Sequence, residues 1–327
     1  MACFRKKVSG CVAASLLLTS LSSYAETTDR WLPFWGNEAR AMGYDLPEPF
    51  GVSASYMQIR QDIKVKEINF ENLMIEFWGI SIPLPADLFL ITAKTTKQRS
   101  HTENIKLDTW VFPFMNIYGI LGQTKGHSLS KVDVDADPLQ YVGEGFYEGI
   151  AQAIHELNLS GDLKDIDFRL DFKGKTYGGG ITLAGGSGNF FALLDANYTW
   201  TRFDILDGNI KAFIISPRLG YRFTLPESSS LHLPSPKLNI WIGSMYQNIQ
   251  QDFRGGLSNL QMPPELHDLI EMADSNGFGR FQVKQELEKP WNLLIGLRYE
   301  PTPHFALTTE LGFEDRESIF VSGEFRF

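Results

Sequence analysis

Apolar and polar residues alternate along several segments of this chain, most regularly near its end. In residues 318–327 every second position forms an apolar row, made of Ile319, Val321, Gly323, Phe325 and Phe327. The same alternation recurs in 213–224, 291–300 and 304–313. A period of two residues is the signature of a β-strand with one apolar and one polar face. The pattern therefore predicts an all-β protein.

Aromatic residues end the apolar rows at a fixed interval of eight residues. The pairs are Phe213 and Tyr221, Trp291 and Tyr299, and Phe305 and Phe313. Eight residues at ~3.3 Å each, tilted by about 40°, climb roughly 20 Å, close to the lipid-facing band between the aromatic girdles of membrane barrels. A soluble sandwich or a lipocalin-like barrel has no reason to keep this interval. We therefore predict a transmembrane antiparallel up-and-down β-barrel.

Turn residues divide the chain into about twelve strands, with ten or fourteen as the alternatives. The expected strands are 50–62, 68–80, 88–98, 104–112, 115–125, 174–184, 189–204, 209–224, 237–252, 281–300, 304–314 and 318–327. An even number returns the chain to the side where it began. Pro217 lies in mid-strand without the N–H that a strand ladder needs, so we expect a bulge there.

Two segments have the 3.6-residue period of helices, and both lie in expected long external loops, 131–173 and 253–280. The first helix is predicted over 137–157, with Asp137 as N-cap and Pro138 at the first helical position. The second is predicted over 263–274. Their apolar faces could pack over the barrel mouth, fold in as a constriction, or meet a partner or lipid surface.

The two ends of the chain carry further expectations. Residues 1–25 have the basic start, apolar run and small residues of a secretory signal peptide. Both cysteines lie within it, and its removal would take the formal charge from −9 to −12 because three basic residues leave with it. Such an acidic chain argues against nucleic acid as a partner. Residues 26–49 are expected to be a periplasmic or lumen-packed segment, followed by the barrel in 50–327.

The last strand resembles the C-terminal signature of Gram-negative outer-membrane β-barrel proteins. The resemblance rests on Phe327 as last residue, Phe325 two before it and the apolar alternation behind them. It implies localisation in the outer membrane and contact with the barrel-assembly machinery during biogenesis. Eight aromatic residues are expected in the girdles or in this assembly signal: Phe213, Tyr221, Trp291, Tyr299, Phe305, Phe313, Phe325 and Phe327. The subfamily stays open.

Charged residues on the polar faces of the strands are the best functional candidates. By strand parity nine of them line the lumen: Asp108, Asp195, Arg218, Arg222, Arg298, Glu300, Glu310, Glu324 and Arg326. They could form cross-strand ion pairs that only hold the wall together. Alternatively, opposed basic and acidic ladders could create a transverse field that orients small polar solutes.

Other chemistry has weaker support in the sequence. Asp133, Asp135 and Asp137 imitate the spacing of a calcium loop, but Pro138 stands where that loop needs Gly. The histidines lie in no recognisable Ser/His/Asp context, so we expect no enzyme, no cofactor and no metal site. The leading hypothesis is a narrow or gated channel for small polar solutes, in contact with outer-membrane lipid and lipopolysaccharide. A non-conducting surface or structural barrel and a lipid-acting enzyme are the alternatives.

Overall fold

The computed structural model describes residues 31–204, 207–226, 235–260 and 263–327, so the expected signal peptide lies outside the described residues. Thirteen strands dominate these parts of the chain. They are β1 (Phe50–Glu71), β2 (Met74–Phe77), β3 (Ile80–Pro83), β4 (Leu90–Phe112), β5 (Met115–Asp135), β6 (Ile166–Ser187), β7 (Phe190–Phe203), β8 (Asp207–Thr224), β9 (Lys237–Gly256), β10 (Arg280–Leu287), β11 (Trp291–Thr302), β12 (Phe305–Phe313) and β13 (Arg316–Arg326).

Eleven of these strands form one antiparallel sheet that closes on itself. Its order is β10-β1-β13-β12-β11-β9-β8-β7-β6-β5-β4, and pairings of β1 with β4 and of β10 with β9 close the ring. Closure removes every free strand edge along the membrane span, as a barrel in lipid requires. The prediction of an up-and-down antiparallel barrel is confirmed, and the number of strands lies within the predicted range of ten to fourteen.

The barrel changes its number of strands along its axis. In the lower half, which holds the expected periplasmic turns, β13 pairs with β1 and β11 pairs with β9. In the upper half β10 alone pairs with both β1 and β9. Three strands therefore leave the ring and one enters it, so ten strands form the lower wall and eight form the upper wall. An eight-stranded barrel is just wide enough inside to be filled by side chains.

Several predicted boundaries differ from the structure. The expected strands 88–98 and 104–112 are one continuous strand, β4, and the expected strand 68–80 is divided between the end of β1 and the separate β2–β3 hairpin. The expected strand 281–300 is broken into β10 and β11. The prediction of a bulge at Pro217 was wrong. The register between β8 and β7 continues through Pro217 without a shift, and the pairing of β8 with β9 omits only positions 216 and 217.

Three α-helices accompany the strands in the described parts of the chain. A short helix, α1 (Gly36–Ala41), precedes the barrel, and α2 (Phe146–Ser160) and α3 (Pro264–Ala273) lie in the connections β5–β6 and β9–β10. A 3-10 turn, Pro138–Tyr141, occupies the start of the first predicted helix, where Asp137 caps the N–H of Leu139. Gly143 and Gly145, both at positive φ, separate this turn from α2. No helix among the described residues is long and apolar enough to cross a membrane.

The outer face of the ten-stranded half is a continuous apolar surface. Leu297, Leu307, Leu219 and Ile242 are among the large hydrophobic side chains exposed on it. Aromatic contacts border this surface at both levels, for example Phe305–Phe325 at 4.9 Å below and Tyr246–Trp291 at 5.2 Å above. Exposed hydrophobic side chains on every second position can only be stable against lipid. The protein is therefore an outer-membrane β-barrel that spans the bilayer with strands.

The predicted girdle residues lie on this outer face. Tyr221 contacts Phe190, while Phe327 stacks on Phe50 and Phe325 and exchanges both backbone hydrogen bonds with Phe50. Trp291 and Phe313 lie at the external ends of their strands, and Tyr299 and Phe305 lie at the opposite ends.

Above the membrane band the strands continue as an extramembrane wall with a hydrophobic interior. Twenty buried residues from the strand ends, α2, α3 and the loops form one core cluster here. Phe253, Leu88, Ala151 and Ile154 are essentially inaccessible to solvent within it. The external connections thus form a folded cap. The apolar face of α2 packs into this cap. This position corresponds to the first of the three alternatives, a helix packed over the barrel mouth.

Candidate functional site

A large cavity occupies the lumen of the ten-stranded half. Its volume is about 1500 Å³. The nine charged residues predicted from strand parity all line this cavity, together with side chains from every strand of the lower ring. We call this cavity the chamber. It is the candidate site for a small molecule, because a concave, enclosed space with convergent polar groups is where proteins bind ligands.

A chain of ion pairs runs along one side of the chamber wall. Arg326 donates from Nη2 to Asp108 Oδ1 at 2.8 Å and from Nη1 to Glu324 Oε1 at 3.0 Å. Arg298 donates to Glu324 at 2.7 Å and, from Nε, to Glu300 at 2.8 Å. The charges alternate in sign, so each carboxylate is neutralised by a guanidinium beside it. We call this chain the ion belt.

The ion belt continues through an amide to its last cation. Asn239 Nδ2 donates to Glu300 Oε1 at 3.0 Å, and its Oδ1 accepts from Arg222 Nε at 3.1 Å. The belt therefore links β4, β13, β11, β9 and β8 inside the lumen. This arrangement corresponds to cross-strand ion pairs, and it does not form the opposed ladders of the alternative hypothesis.

One further ion pair crosses part of the lumen. Arg218 of β8 holds Glu310 of β12 through Nε at 2.6 Å and Nη2 at 3.0 Å. The indole Nε1 of Trp241 donates to the same carboxylate at 2.8 Å. In the ring, β9 and β11 separate the two strands, so the pair spans a chord of the barrel. Gly296 makes this possible, because a Cβ there would lie 2.2 Å from the Trp241 ring.

The opposite wall of the chamber is polar but carries fewer charges. Asp195 accepts from Tyr118 at 2.8 Å and from Thr182 at 2.7 Å. Above it, four threonine hydroxyls form a ladder across β4, β5, β6 and β7 with O–O distances of 2.8–3.0 Å: Thr102, Thr124, Thr176 and Thr201. This ladder has no signature in the sequence, because isolated threonines in four strands give no signal until the register aligns them.

Hydrophobic side chains line the upper part of the chamber. They come from β1, β5, β8, β9 and β13, and they are Met57, Ile59, Ile120, Ile210, Ile214, Met245, Ile249 and Phe320. All occupy inward positions, where strand parity predicts polar residues. The chamber is therefore amphipathic, with charged groups near the periplasmic end and apolar groups towards the external end.

The external end of the chamber is closed by packed side chains, which we call the neck. Gln98 Oε1 accepts from Gln61 Nε2 at 3.0 Å and from Gln251 Nε2 at 2.9 Å, which joins β4 to β9 across the lumen. Behind this amide layer Phe172, Phe203 and Phe253 pack with ring centroids 4.9–6.0 Å apart. The neck lies where the wall narrows to eight strands, and its glutamine and phenylalanine side chains are buried there.

The periplasmic end of the chamber is crossed by residues 34–45, which we call the strap. One end of the strap is held to β4. Phe34 N–H donates to Val111 O at 2.9 Å, and the Trp35 ring packs on the Phe112 ring with centroids 4.9 Å apart. At the other end Asp45 forms an ion pair with Lys237 at the start of β9. β4 and β9 stand opposite each other in the ten-stranded ring. This part of the N-terminal segment, expected to be periplasmic or lumen-packed, spans the mouth as a narrow band.

The carboxylates that imitate a calcium loop are each engaged separately. Asp133 pairs with Lys94 at 2.9 Å and accepts from the N–H of Asp165. Asp135 contacts His155 Nδ1 at 2.9 Å, and Asp137 caps Leu139. Among the residues that the structure describes, no group of three or more His, Cys, Asp or Glu could hold a metal ion. These acids fasten the cap to the strands.

The cap is also fastened by a tyrosine–carboxylate contact outside the membrane. Tyr141 OH donates to Asp87 Oδ1 at 3.0 Å, and Gln140 donates to the other oxygen at 2.6 Å. Burial and then the Asp87 carboxylate raise the pKa of Tyr141 to about 12. The hydrogen bond from Tyr141 in turn holds the pKa of Asp87 below its ordinary value.

Alkaline titration should therefore loosen this contact. Because the pKa of Tyr141 is raised on folding, its stabilising contribution is complete below the ordinary tyrosine pKa of 10.0 and is lost as pH rises through about 12. The difference in tyrosinate absorbance between the wild type and Tyr141→Phe isolates this phenol. Asp87→Asn should move its midpoint back towards the ordinary value. A wild-type midpoint at the ordinary value would show that Tyr141 is not docked on Asp87.

Comparisons with known proteins identify no family for this chain. No family model matches the chain, and no curated protein matches it. Solved structures similar to it include the outer membrane protein OprG from Pseudomonas aeruginosa, with 10% identity, a TM-score of 0.33, and coverage of 86% of this chain and 98% of OprG.

Two other similar structures come from different bacteria. The transport unit of the autotransporter AIDA-I from Escherichia coli has 11% identity and a TM-score of 0.31, covering 91% of this chain and 99% of that one. The toluene transporter TbuX from Ralstonia pickettii has 8% identity and a TM-score of 0.33, covering 86% and 90%. Similarity at this level identifies neither a family nor a function.

Proposed function

We propose that this barrel is a gated channel for small solutes, with the neck as its closed gate. The chamber of about 1500 Å³ between strap and neck carries this proposal. A barrel that only fills its interior with side chains would leave no such space in its membrane span. The chamber is bounded by a strap that contacts the wall at two points and by a neck of side chains, and both can move without breaking the strand ladder.

The lining of the chamber favours solutes that have both an apolar part and a hydrogen-bonding group. The sequence alone favoured polar solutes, because strand alternation identified only the charged residues as lining the lumen. Isoleucine and methionine side chains line the upper half, where a strongly hydrated ion would lose its water without replacement. The threonine ladder and the Asp195 cluster offer donors and acceptors to a polar group beside them.

Conductance of the reconstituted full chain in a planar bilayer tests the proposal. We expect the wild type to stay closed, because the neck leaves no water-filled path. Phe172→Ala combined with Phe253→Ala should produce resolved current steps, because the two rings fill the narrowest part of the lumen. The matched control combines Phe70→Ala with Phe281→Ala. These two residues are register partners on β1 and β10, in the extramembrane wall. This control should remain closed.

If the neck variant carries no current, and replacement of residues 136–165 by a short linker also produces none, the channel proposal fails. The ion belt and the cap would then support the second candidate, a non-conducting surface barrel. Its supporting observation is that the belt ties the lumen wall together through charge pairs.

A further inference from the structure

Seven cations on the outer wall of β4–β8 have no carboxylate partner within 4.0 Å among the residues that the structure describes. One of them, Lys97, lies one outward position beyond Arg99 on β4, and the other six form one group nearer the membrane. These six all face away from the lumen, directly above the external aromatic girdle. They are Arg99, Lys125, Lys173, Lys175, Arg202 and Lys211. All but Lys125 are exposed, and Lys125 is half-buried. We call this group the basic wall.

The strand register places like charges of the basic wall directly opposite each other. Lys125 of β5 is the cross-strand partner of Lys173 of β6, and Lys175 of β6 is the partner of Arg202 of β7. Like charges in directly opposed positions destabilise a sheet. An anion from outside the chain that lay between two such pairs in neighbouring rows would relieve this repulsion.

The surroundings of His127 report the same local field. His127 is the register partner of Arg99 and lies above the girdle. Burial, then Arg169 and Arg99, lower the pKa of this imidazole, and Asp171 opposes them only in part. Arg99 of the basic wall thus adds to the larger effect of burial at this imidazole.

An excess of basic residues does not explain this cluster, because the chain has a formal net charge of −9. On the opposite part of the extramembrane wall the outward cations of the described residues are paired, with the exception of Lys64. Lys66 contacts Glu286 at 2.7 Å, Lys284 contacts Glu67 at 2.6 Å, and Arg280 contacts Asp207 at 2.8 Å. Unpaired cations are thus concentrated on one side of the barrel.

The position of the basic wall relative to the membrane indicates what supplies the anion. In the direction away from the membrane, Lys175 is the next outward residue beyond Tyr177 on β6, Arg202 is the next beyond Trp200 on β7, and Lys211 is the next beyond Phe213 on β8. Tyr177 and Trp200 stack at 5.9 Å in the girdle. One outward position is about 6.6 Å along a strand. Aromatic girdles mark the level of lipid headgroups, so these cations reach the phosphates of the external leaflet.

We propose that the basic wall is a binding site for a lipid of the external leaflet that carries more than one phosphate group. The acyl chains lie against the apolar face of β5–β7, and the phosphates lie between the opposed cations. Lys175 and Arg202 hold one phosphate, and Lys125 and Lys173 hold a second in the next row. A guanidinium and an ammonium together give a phosphate several charge-assisted hydrogen bonds.

Native mass spectrometry of the full chain in detergent, titrated with bisphosphorylated lipid A, tests this site. The test variant is Lys173→Gln/Lys175→Gln/Arg202→Gln. Binding should weaken by about fivefold for each cation removed, the contribution of a basic residue beside an anionic lipid surface. The matched control is Lys66→Gln/Lys284→Gln/Arg280→Gln, which removes the same charge from the paired side and should bind like the wild type.

Comparisons on the wild type keep the test decisive even if the triple variant does not fold. Dephosphorylated lipid A and phosphatidylglycerol should both bind more weakly, and inorganic phosphate should not displace lipid A. Equal binding of the dephosphorylated lipid would overturn the phosphate assignment, and equal binding of phosphatidylglycerol would overturn the requirement for several phosphates. Displacement by free phosphate, or equal weakening in the control variant, would overturn the lipid site itself.

Discussion

Arg218→Met should destabilise the barrel by roughly 3 kcal/mol, near the lower end of the range for a broken buried ion pair. The substitution keeps a long side chain but leaves Glu310 buried with only the Trp241 indole as a donor. The Glu310 side chain is 6% exposed and that of Arg218 is 17% exposed, so little water compensates the lost charge. Heat-induced unfolding in detergent, followed by gel mobility, measures this effect.

The double variant Arg218→Met/Glu310→Gln is the control for that measurement. It removes both charges, and the glutamine still accepts the indole hydrogen bond, so its unfolding free energy should lie within about 1 kcal/mol of the wild type. Equal destabilisation of the single and double variants would mean that packing, rather than the unpaired carboxylate, causes the loss. The Arg218–Glu310 contact would then have no electrostatic role in the wall.

Phe253→Ala should cost about 3–5 kcal/mol of stability, the usual effect of emptying a fully buried aromatic site. Phe253 is 0% exposed, and its ring stacks on Phe203 at 4.9 Å and contacts Phe172 at 5.8 Å. Three rings that close an eight-stranded wall have little freedom to collapse into the space that is left. Denaturant unfolding monitored by tryptophan fluorescence reports the change.

Phe278→Ala is the corresponding control for the cap. This phenylalanine is 73% exposed in the β9–β10 connection, so the same truncation should change stability by no more than about 0.5 kcal/mol. If Phe253→Ala were equally mild, the neck would be loosely packed. A loosely packed neck would also make the wild type leak current in the bilayer experiment.

Strand parity concerns the face of a strand on which a side chain lies, and not its chemical surroundings. The nine charged residues lie along the chamber, because a side chain in a strand can point only inward or outward. Parity does not give partners: whether Arg298 meets Glu324 or faces an acidic ladder depends on which strands are neighbours. The hydrophobic upper chamber was missed because Met57, Ile59 and Ile249 lie in strands whose two faces are both partly apolar.

The break in 281–300 shows what a sequence pattern conceals. Alternation continues through this segment, yet Glu288–Pro290 is a connector that reverses which positions face the lumen. Phe281 and Val283 of β10 face inward at odd positions, whereas Leu294 and Gly296 of β11 face inward at even positions. Pro290 was the local signal of this change. Its consequence, the replacement of three strands by one, is a matter of pairing between distant segments.

The sequence by itself determined a lipid-facing barrel, its girdles and the inward charges, because period-two alternation and aromatic spacing are local properties of each strand. Only the tertiary structure decided that ten strands become eight, that the narrow part is packed shut, and that a chamber remains below it. It also decided that Lys125 faces Lys173 and that Lys175 faces Arg202. Register and closure arise from contacts between residues far apart in the chain, and a single sequence does not encode them in any one segment.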